Sequence, residues 1–207
     1  MAMTKIKLCG MMQKADILAV NELLPDYIGF VFAAGARRAV TPETARELRG
    51  ALDSRIRAVG VFVDQRPEEI AEIAARVSLN CIQLHGEESE QNLERVRILT
   101  EKPVWRAFQI TGSEVLARAK ESRADLLLLD SGKGSGKTFA WEWLRDFSRF
   151  YLLAGGLDAA NVGEAIRRLH PVGVDVSSAL ETDGQKDPGK MRLFVEAVRR
   201  ADWDTEG

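Results

Sequence analysis

Several side chains able to transfer a proton or bind an anion stand at the ends of short apolar runs. Cys9 closes Lys5-Ile6-Lys7-Leu8-Cys9-Gly10, and His85 closes Gln83-Leu84-His85-Gly86. Arg106 lies in Trp105-Arg106-Ala107, and Asp130 in Leu128-Leu129-Asp130-Ser131. Asp175 and Ser177 lie in Val174-Asp175-Val176-Ser177-Ser178. Strand side chains alternate between two faces, so Ile6 and Leu8 share one and Lys7 and Cys9 the other. Taken alone, Cys9 reads as a buried structural thiol, a common place for free cysteine. Its company suggests a reactive group instead. Unpaired ionisable groups are costly to bury, and a core needs none of them. Their gathering at the carboxyl ends of strands is how α/β folds build sites.

Two further runs suit anions. Leu153-Ala154-Gly155-Gly156-Leu157 and Asp175-Val176-Ser177-Ser178 end the last two apolar segments. Glycines let backbone N–H groups approach a phosphate closely, and Ser177 and Ser178 add hydroxyl donors. A plain strand-to-helix turn is the alternative at each. Arg37-Arg38 follows Gly29-Phe30-Val31-Phe32. An arginine fork there suits a carboxylate, with two solvated charges as the alternative. Ser131-Gly132-Lys133-Gly134-Ser135-Gly136-Lys137-Thr138 resembles a nucleotide-binding P-loop, but Ser131 stands where that pattern needs glycine. It suits a lid beside Asp130 better. His170 reads as a helix-end residue, and Asp187 and Lys190 as ordinary charges at a helix start.

The elements that must position these groups alternate regularly. Strands are expected near Lys5–Cys9, Tyr27–Phe32, Ala58–Val63, Cys81–His85, Val104–Phe108, Leu126–Asp130, Tyr151–Ala154 and Gly173–Ser177. Helical periodicity follows each: Gln13–Leu24, Pro42–Ala51, Pro67–Val77, Ser89–Thr100, Ser113–Ser122, Ala140–Phe147, Asn161–Leu169 and Gly189–Arg200. Thr41 is the expected cap of the second helix, with Pro42 at its first position. The polar tail Ala201–Gly207 is expected to fray. Strand–helix alternation implies a parallel sheet with helices outside. Eight units point to a (β/α)8 barrel of minimal size, one domain over residues 1–207. An open doubly wound sheet is the alternative, yet no strand is blunted as an edge would be.

The totals exclude other classes. The chain of 207 residues is 45% hydrophobic and 29% charged, an ordinary globular composition. A net charge of −2 argues against a nucleic-acid partner. No apolar run approaches the ~20 residues needed to span a bilayer, and no secretory leader is evident. Two cysteines imply no disulfide framework and suit a reducing cytoplasm. With two histidines, no metal-ligand spacing appears.

The order of motifs resembles one family along essentially the whole chain. Lys7-Leu8-Cys9-Gly10, Gly29-Phe30-Val31-Phe32, Arg38, Val59-Gly60-Val61-Phe62-Val63, Gln83-Leu84-His85-Gly86 and Asp130-Ser131 fall in place. Leu153-Ala154-Gly155-Gly156-Leu157, Gly173 to Ser178 and Gly184 to Asp187 follow in turn. The pattern is similar to that of phosphoribosylanthranilate isomerases of tryptophan biosynthesis. The resemblance implies a small (β/α)8 barrel with no metal or redox cofactor. It implies Cys9 as general base and Asp130 as general acid. It places Arg38, rather than Arg37, on the anthranilate carboxylate, and Gly155, Gly156, Ser177 and Ser178 on the phosphate. Asp175 falls near the sugar hydroxyls and His85 lines the pocket. Ala179 departs from the family's usual glycine, Met11-Met12 from small and hydroxyl residues, Ala34-Gly35-Ala36 from a Pro-Lys-Ser-type loop, and Ala140 from an acidic residue.

The implied reaction is an Amadori rearrangement, which needs a proton given to the sugar ring oxygen and another taken from C2. The base would need its thiol ionised more readily than the reference ~8.5. The expected partner is a small phosphosugar, and a monomer is expected over a dimer. A P-loop NTPase using Lys137 and a non-catalytic phosphate-binding barrel are the rival readings.

Overall fold

Strand β1 (Lys5–Cys9) sets the pattern that the other strands repeat. Ile6 and Leu8 are fully buried against the helices, while Lys7 and Cys9 turn to the opposite face. The computed structural model describes residues 3–130 and 139–204. The P-loop-like run Ser131 to Thr138 and its lid reading lie outside the described residues.

After β1 the chain continues as α1 (Lys14–Leu23), β2 (Tyr27–Val31), α2 (Pro42–Gly50), β3 (Arg57–Phe62) and α3 (Pro67–Val77). Next come β4 (Cys81–Leu84), α4 (Glu90–Thr100), β5 (Val104–Gln109), α5 (Ser113–Glu121), β6 (Leu126–Asp130) and α6 (Phe139–Leu144). The last units are β7 (Tyr151–Ala154), α7 (Val162–Leu169), β8 (Gly173–Val176) and α8 (Pro188–Asp204). A small antiparallel pair, β9 (Glu181–Thr182) and β10 (Gln185–Lys186), sits between β8 and α8. The strands β1 to β8 close into one parallel barrel, with β1 paired to both β2 and β8. Closure removes the open-sheet alternative.

Two apolar layers hold the barrel. The outer one packs strand residues such as Ile6, Ile28, Phe62 and Leu84 against the helices. The inner one fills the barrel with Val59, Cys81, Trp105, Ala107, Leu128, Leu152 and Ala154. Strands covered on both faces read as nearly continuous apolar runs, as in Leu126-Leu127-Leu128-Leu129. Local signals set the helix starts. Thr41 accepts a hydrogen bond from the Thr44 N–H at 3.1 Å, and Ser89 does the same for Asn92. His170 ends α7 in the left-handed conformation, with φ of 46°.

Three expectations change. The tail does not fray at Ala201: α8 runs to Asp204 and Ala201 is buried. Asp202 accepts hydrogen bonds from the Thr4 N–H and hydroxyl, tying the helix end to the start of β1. Asp187 is more than a solvated charge. Its carboxylate caps α8 by accepting the N–H groups of Gly189 and Lys190 at 2.8 and 3.1 Å. Four strands also stop one residue early, so Phe32, Val63, His85 and Ser177 lie just beyond them.

Candidate active site

The strand registers bring the sequence-predicted groups to one end of the barrel. Lys7 pairs with Asp175, Cys9 with Gly29, and Asp130 with Ala154. One cavity of about 380 Å³ lies over that end. Cys9, Asp130, Asp175 and His85 line it from β1, β6, β8 and the residue after β4. Gly155, Gly156, Ser177 and Ser178 line it from the loops after β7 and β8, and Arg38 from the loop after β2. All nine predicted site residues therefore meet in a single cavity. A neighbouring cavity of about 690 Å³ over β5 shares only His85 and Asp130 of this set.

Arg106 does not join them. Its neighbours Trp105 and Ala107 fill the barrel interior, so alternation sends Arg106 outward to α4. There it donates to Glu90 at 2.7 Å and to the Glu88 carbonyl.

The thiol of Cys9 is almost enclosed, with 8% exposure. Gly29 permits this packing: a Cβ there would lie 2.6 Å from the sulfur. Burial pushes the Cys9 thiol above its ordinary value, although the nearby Lys7 ammonium works the other way. Asp175 adds to the rise and Lys186 opposes it. Burial thus makes this thiol harder to ionise than an ordinary cysteine, against the expectation of a readily ionised one.

Below Cys9, Lys7 is fully buried and donates to Asp175 at 2.7 Å. Burial works against the ammonium, but Asp175 and Cys9 outweigh it and hold Lys7 above the usual lysine value. Gln83, 1% exposed, faces His85 with Nε2 and Nδ1 3.3 Å apart. Its Oε1 is buried without a hydrogen-bond partner among the described residues.

The loops after β7 and β8 have their own architecture. Gly155 and Gly156 take φ of +85° and +62°, a left-handed turn that glycine adopts without strain. Ser177 donates its hydroxyl to the Cys9 carbonyl at 3.1 Å, locking the loop after β8 to β1. Ala179 has no left-handed φ, so its Cβ introduces no backbone strain.

Arg38 meets a carboxylate, and it belongs to the protein. Its Nε and Nη2 both donate to Glu181, the latter at 3.1 Å. Arg37 donates to the same group, and the buried Lys186 reaches it at 3.0 Å. Burial alone would raise Glu181, but hydrogen bonds from Arg38 and Lys186 and the Lys186 charge hold its carboxyl down at about 2. Three cations sharing one carboxylate leave surplus positive charge at the cavity rim.

The sequence assigned no site role to Lys7, Gln83, Glu181 or Lys186, although each lies in a motif of the resemblance or beside one. Lys7 and Gln83 each stand two residues before a predicted site residue, on the same strand face. Among the described residues, no cluster of three or more His, Cys, Asp or Glu could hold a metal. No described helix is long and apolar enough to cross a membrane.

Residues 6–197 match the family model described as N-(5'-phosphoribosyl)anthranilate (PRA) isomerase. The chain belongs to the phosphoribosylanthranilate isomerase family. An N-(5'-phosphoribosyl)anthranilate isomerase of Thermoanaerobacter sp. (strain X514) is 42% identical over 95% of this chain and 98% of its own. A crystal structure of phosphoribosyl anthranilate isomerase holds reduced 1-(o-carboxyphenylamino)-1-deoxyribulose 5-phosphate. It superposes with a TM-score of 0.87 at 34% identity, covering 96% of this chain and all of the other. Monomers generated from the dimeric Thermotoga maritima isomerase give 0.84 at 34% identity, over 95% of this chain and 99% of theirs. The phosphoribosylanthranilate isomerase fold therefore extends over nearly the whole length compared.

Proposed function

We propose that the protein converts N-(5'-phosphoribosyl)anthranilate to 1-(2-carboxyphenylamino)-1-deoxyribulose 5-phosphate in tryptophan biosynthesis, with Cys9 as base and Asp130 as acid. One observation carries the reading: all nine predicted groups line one cavity in a chain of this family. Asp130 gives its proton to the ring oxygen as the C1–O bond breaks and the amine nitrogen forms a C1=N iminium. Cys9 takes the proton from C2, and the electron pair moves to C1=C2 and neutralises the nitrogen. The resulting enolamine takes a proton at C1 and loses the proton of its C2 hydroxyl, which leaves the ketone. No external oxidant or reductant is needed, because the oxidation at C2 and the reduction at C1 balance within the substrate.

The remaining residues orient the substrate. The N–H groups of Gly155 and Gly156 and the hydroxyls of Ser177 and Ser178 hold the phosphate. Asp175 faces the sugar hydroxyls, and His85 packs at the rim. Arg38 holds the anthranilate carboxylate. Because Nε and Nη2 are on Glu181, the carboxylate meets Arg38 through Nη1 or by displacing Glu181. Anchoring both ends of the substrate supplies orientation rather than bond-making. One chain contributes every group, so a monomer suffices, and a cytoplasmic setting keeps both thiols reduced.

The test is a fluorescence assay of phosphoribosylanthranilate consumption. Cys9→Ser and Asp130→Asn should each lower turnover by about 10²-fold or more, the scale of losing a general acid or base, with unchanged circular dichroism. Near-normal turnover in either variant sinks the assignment.

A further inference from the structure

The barrel interior is apolar on most strands, yet β1 and β8 place a lysine and an aspartate inside it. Lys7 is fully buried, and its partner Asp175 is 11% exposed at the side chain. An ion pair at such a position is a poor way to stabilise a core, since a well-packed apolar pair commonly does as well or better. Its location suggests another use. Lys7 lies two residues before Cys9 on the same face of β1, its ammonium hydrogen-bonds Asp175, and its charge acts on the Cys9 thiol.

We propose that Lys7 is a positioning residue for Cys9: its ammonium, steadied by Asp175, stabilises the thiolate that receives the substrate's C2 proton. The inference rests on the reading of Cys9 as base. In forming the thiolate, the sulfur proton leaves to bulk water, and the sulfur keeps the electron pair that later takes the proton from C2. The ammonium stays protonated throughout and supplies charge alone.

The other charged groups near Cys9 do not replace it. Asp175, from β8, opposes the thiolate. Lys186, from β10, favours it but is committed to Glu181 and to the Ser177 carbonyl. Arg38, from the loop after β2, is engaged by Glu181. His85, just after β4, and Asp130, at the end of β6, line the cavity. Burial lifts the thiol, and Lys7 is the foremost influence against that lift. Losing Lys7 therefore strands Cys9 beside an uncompensated Asp175 and disfavours the thiolate further.

The experiment follows iodoacetamide alkylation of Cys9 in the ligand-free protein, read peptide by peptide by mass spectrometry across pH. Cys81 is the internal control: it is buried within the barrel, and its thiol is pushed up to about 11. Lys7→Met should raise the Cys9 ionisation midpoint by about one pH unit or more. Thiolate then falls about tenfold near pH 8, and higher nucleophilicity recovers only part, so alkylation slows about threefold or more. The acidic limb of the kcat/KM profile should move up by the same interval, and Lys7→Arg should restore most of the rate. Because Lys7→Met leaves Asp175 unpaired, the double variant Lys7→Met/Asp175→Asn is the second. It removes the stranded carboxylate together with the ammonium, and the midpoint should still lie above the wild-type one, because Lys7 acts on the thiol more strongly than Asp175. An unchanged Cys9 profile in folded Lys7→Met overturns the proposal, as does a midpoint at or below the wild-type value in the double variant. Activity surviving in Cys9→Ser refutes the base reading instead, and leaves the thiol titration to decide on Lys7.

Discussion

Glu181 offers the sharpest energetic test, because one carboxylate organises Arg37, Arg38 and Lys186. Its side chain is 5% exposed, so solvent screens these contacts little. The carboxyl titrates at about 2 in the folded protein, against an ordinary 4.5. At about 1.4 kcal/mol per unit, that difference is worth about 3 kcal/mol of stability at neutral pH. The sign follows from the depressed value. The stabilisation is complete above the unfolded value and fades as pH falls toward the folded one. Glu181→Gln keeps the shape and removes the charge. Urea unfolding at pH 7 should therefore find the variant less stable by about 3 kcal/mol, shrinking to about 2 kcal/mol near pH 3.5. The functional consequence is a rise in KM for phosphoribosylanthranilate, since Arg38 loses the contact that aims it. Equal stability at pH 7, or a gap that stays constant between pH 7 and 3.5, would refute the reasoning.

Two substitutions at the cavity test its geometry. Arg38→Met should lower kcat/KM by roughly 10- to 150-fold, mostly through KM, the worth of about 1.5–3 kcal/mol for a charge-assisted pair. Arg37, which is largely exposed, should cost less than about threefold when changed to Met, and a reversed ranking in steady-state kinetics would move the carboxylate site to Arg37. Gly29→Ala should lower kcat by about 10- to 100-fold, because its Cβ displaces the Cys9 sulfur, and wild-type turnover in that variant would show that the sulfur position is uncritical.

Much of the architecture rests on local signals. Alternation along Lys5–Cys9 separates Ile6 and Leu8 from Lys7 and Cys9 whatever the surrounding fold. Thr41-Pro42 starts α2 by capping one N–H and supplying a residue that needs none. Eight repeats of strand and helix leave few ways to cover both sheet faces, and closure is the one this chain takes. The site was legible for a related reason. In a barrel the inward residues at the carboxyl ends must share one mouth, so Cys9, Asp130, Asp175 and Ser177 converge once the strands are placed.

Contacts between distant positions were not legible. Arg106 groups with His85 as a site candidate in the sequence, yet it lies mid-strand in β5, between the inward Trp105 and Ala107, and its side chain meets Glu90 of α4. The buried pairing of Lys7 with Asp175 spans 168 residues and depends on the β1–β8 register. The capture of Arg38 by Glu181 spans 143 residues and depends on the turn after β8. Even the end of α8 was decided at a distance, where Asp202 meets Thr4. By itself the sequence determined the order of elements, the faces of the strands and the residue types gathered at the mouth, because these follow from short-range periodicity. Only the tertiary structure decided which charges neutralise one another and which thiol is shielded, because electrostatic partners are chosen by proximity in space, with burial setting what each contact is worth.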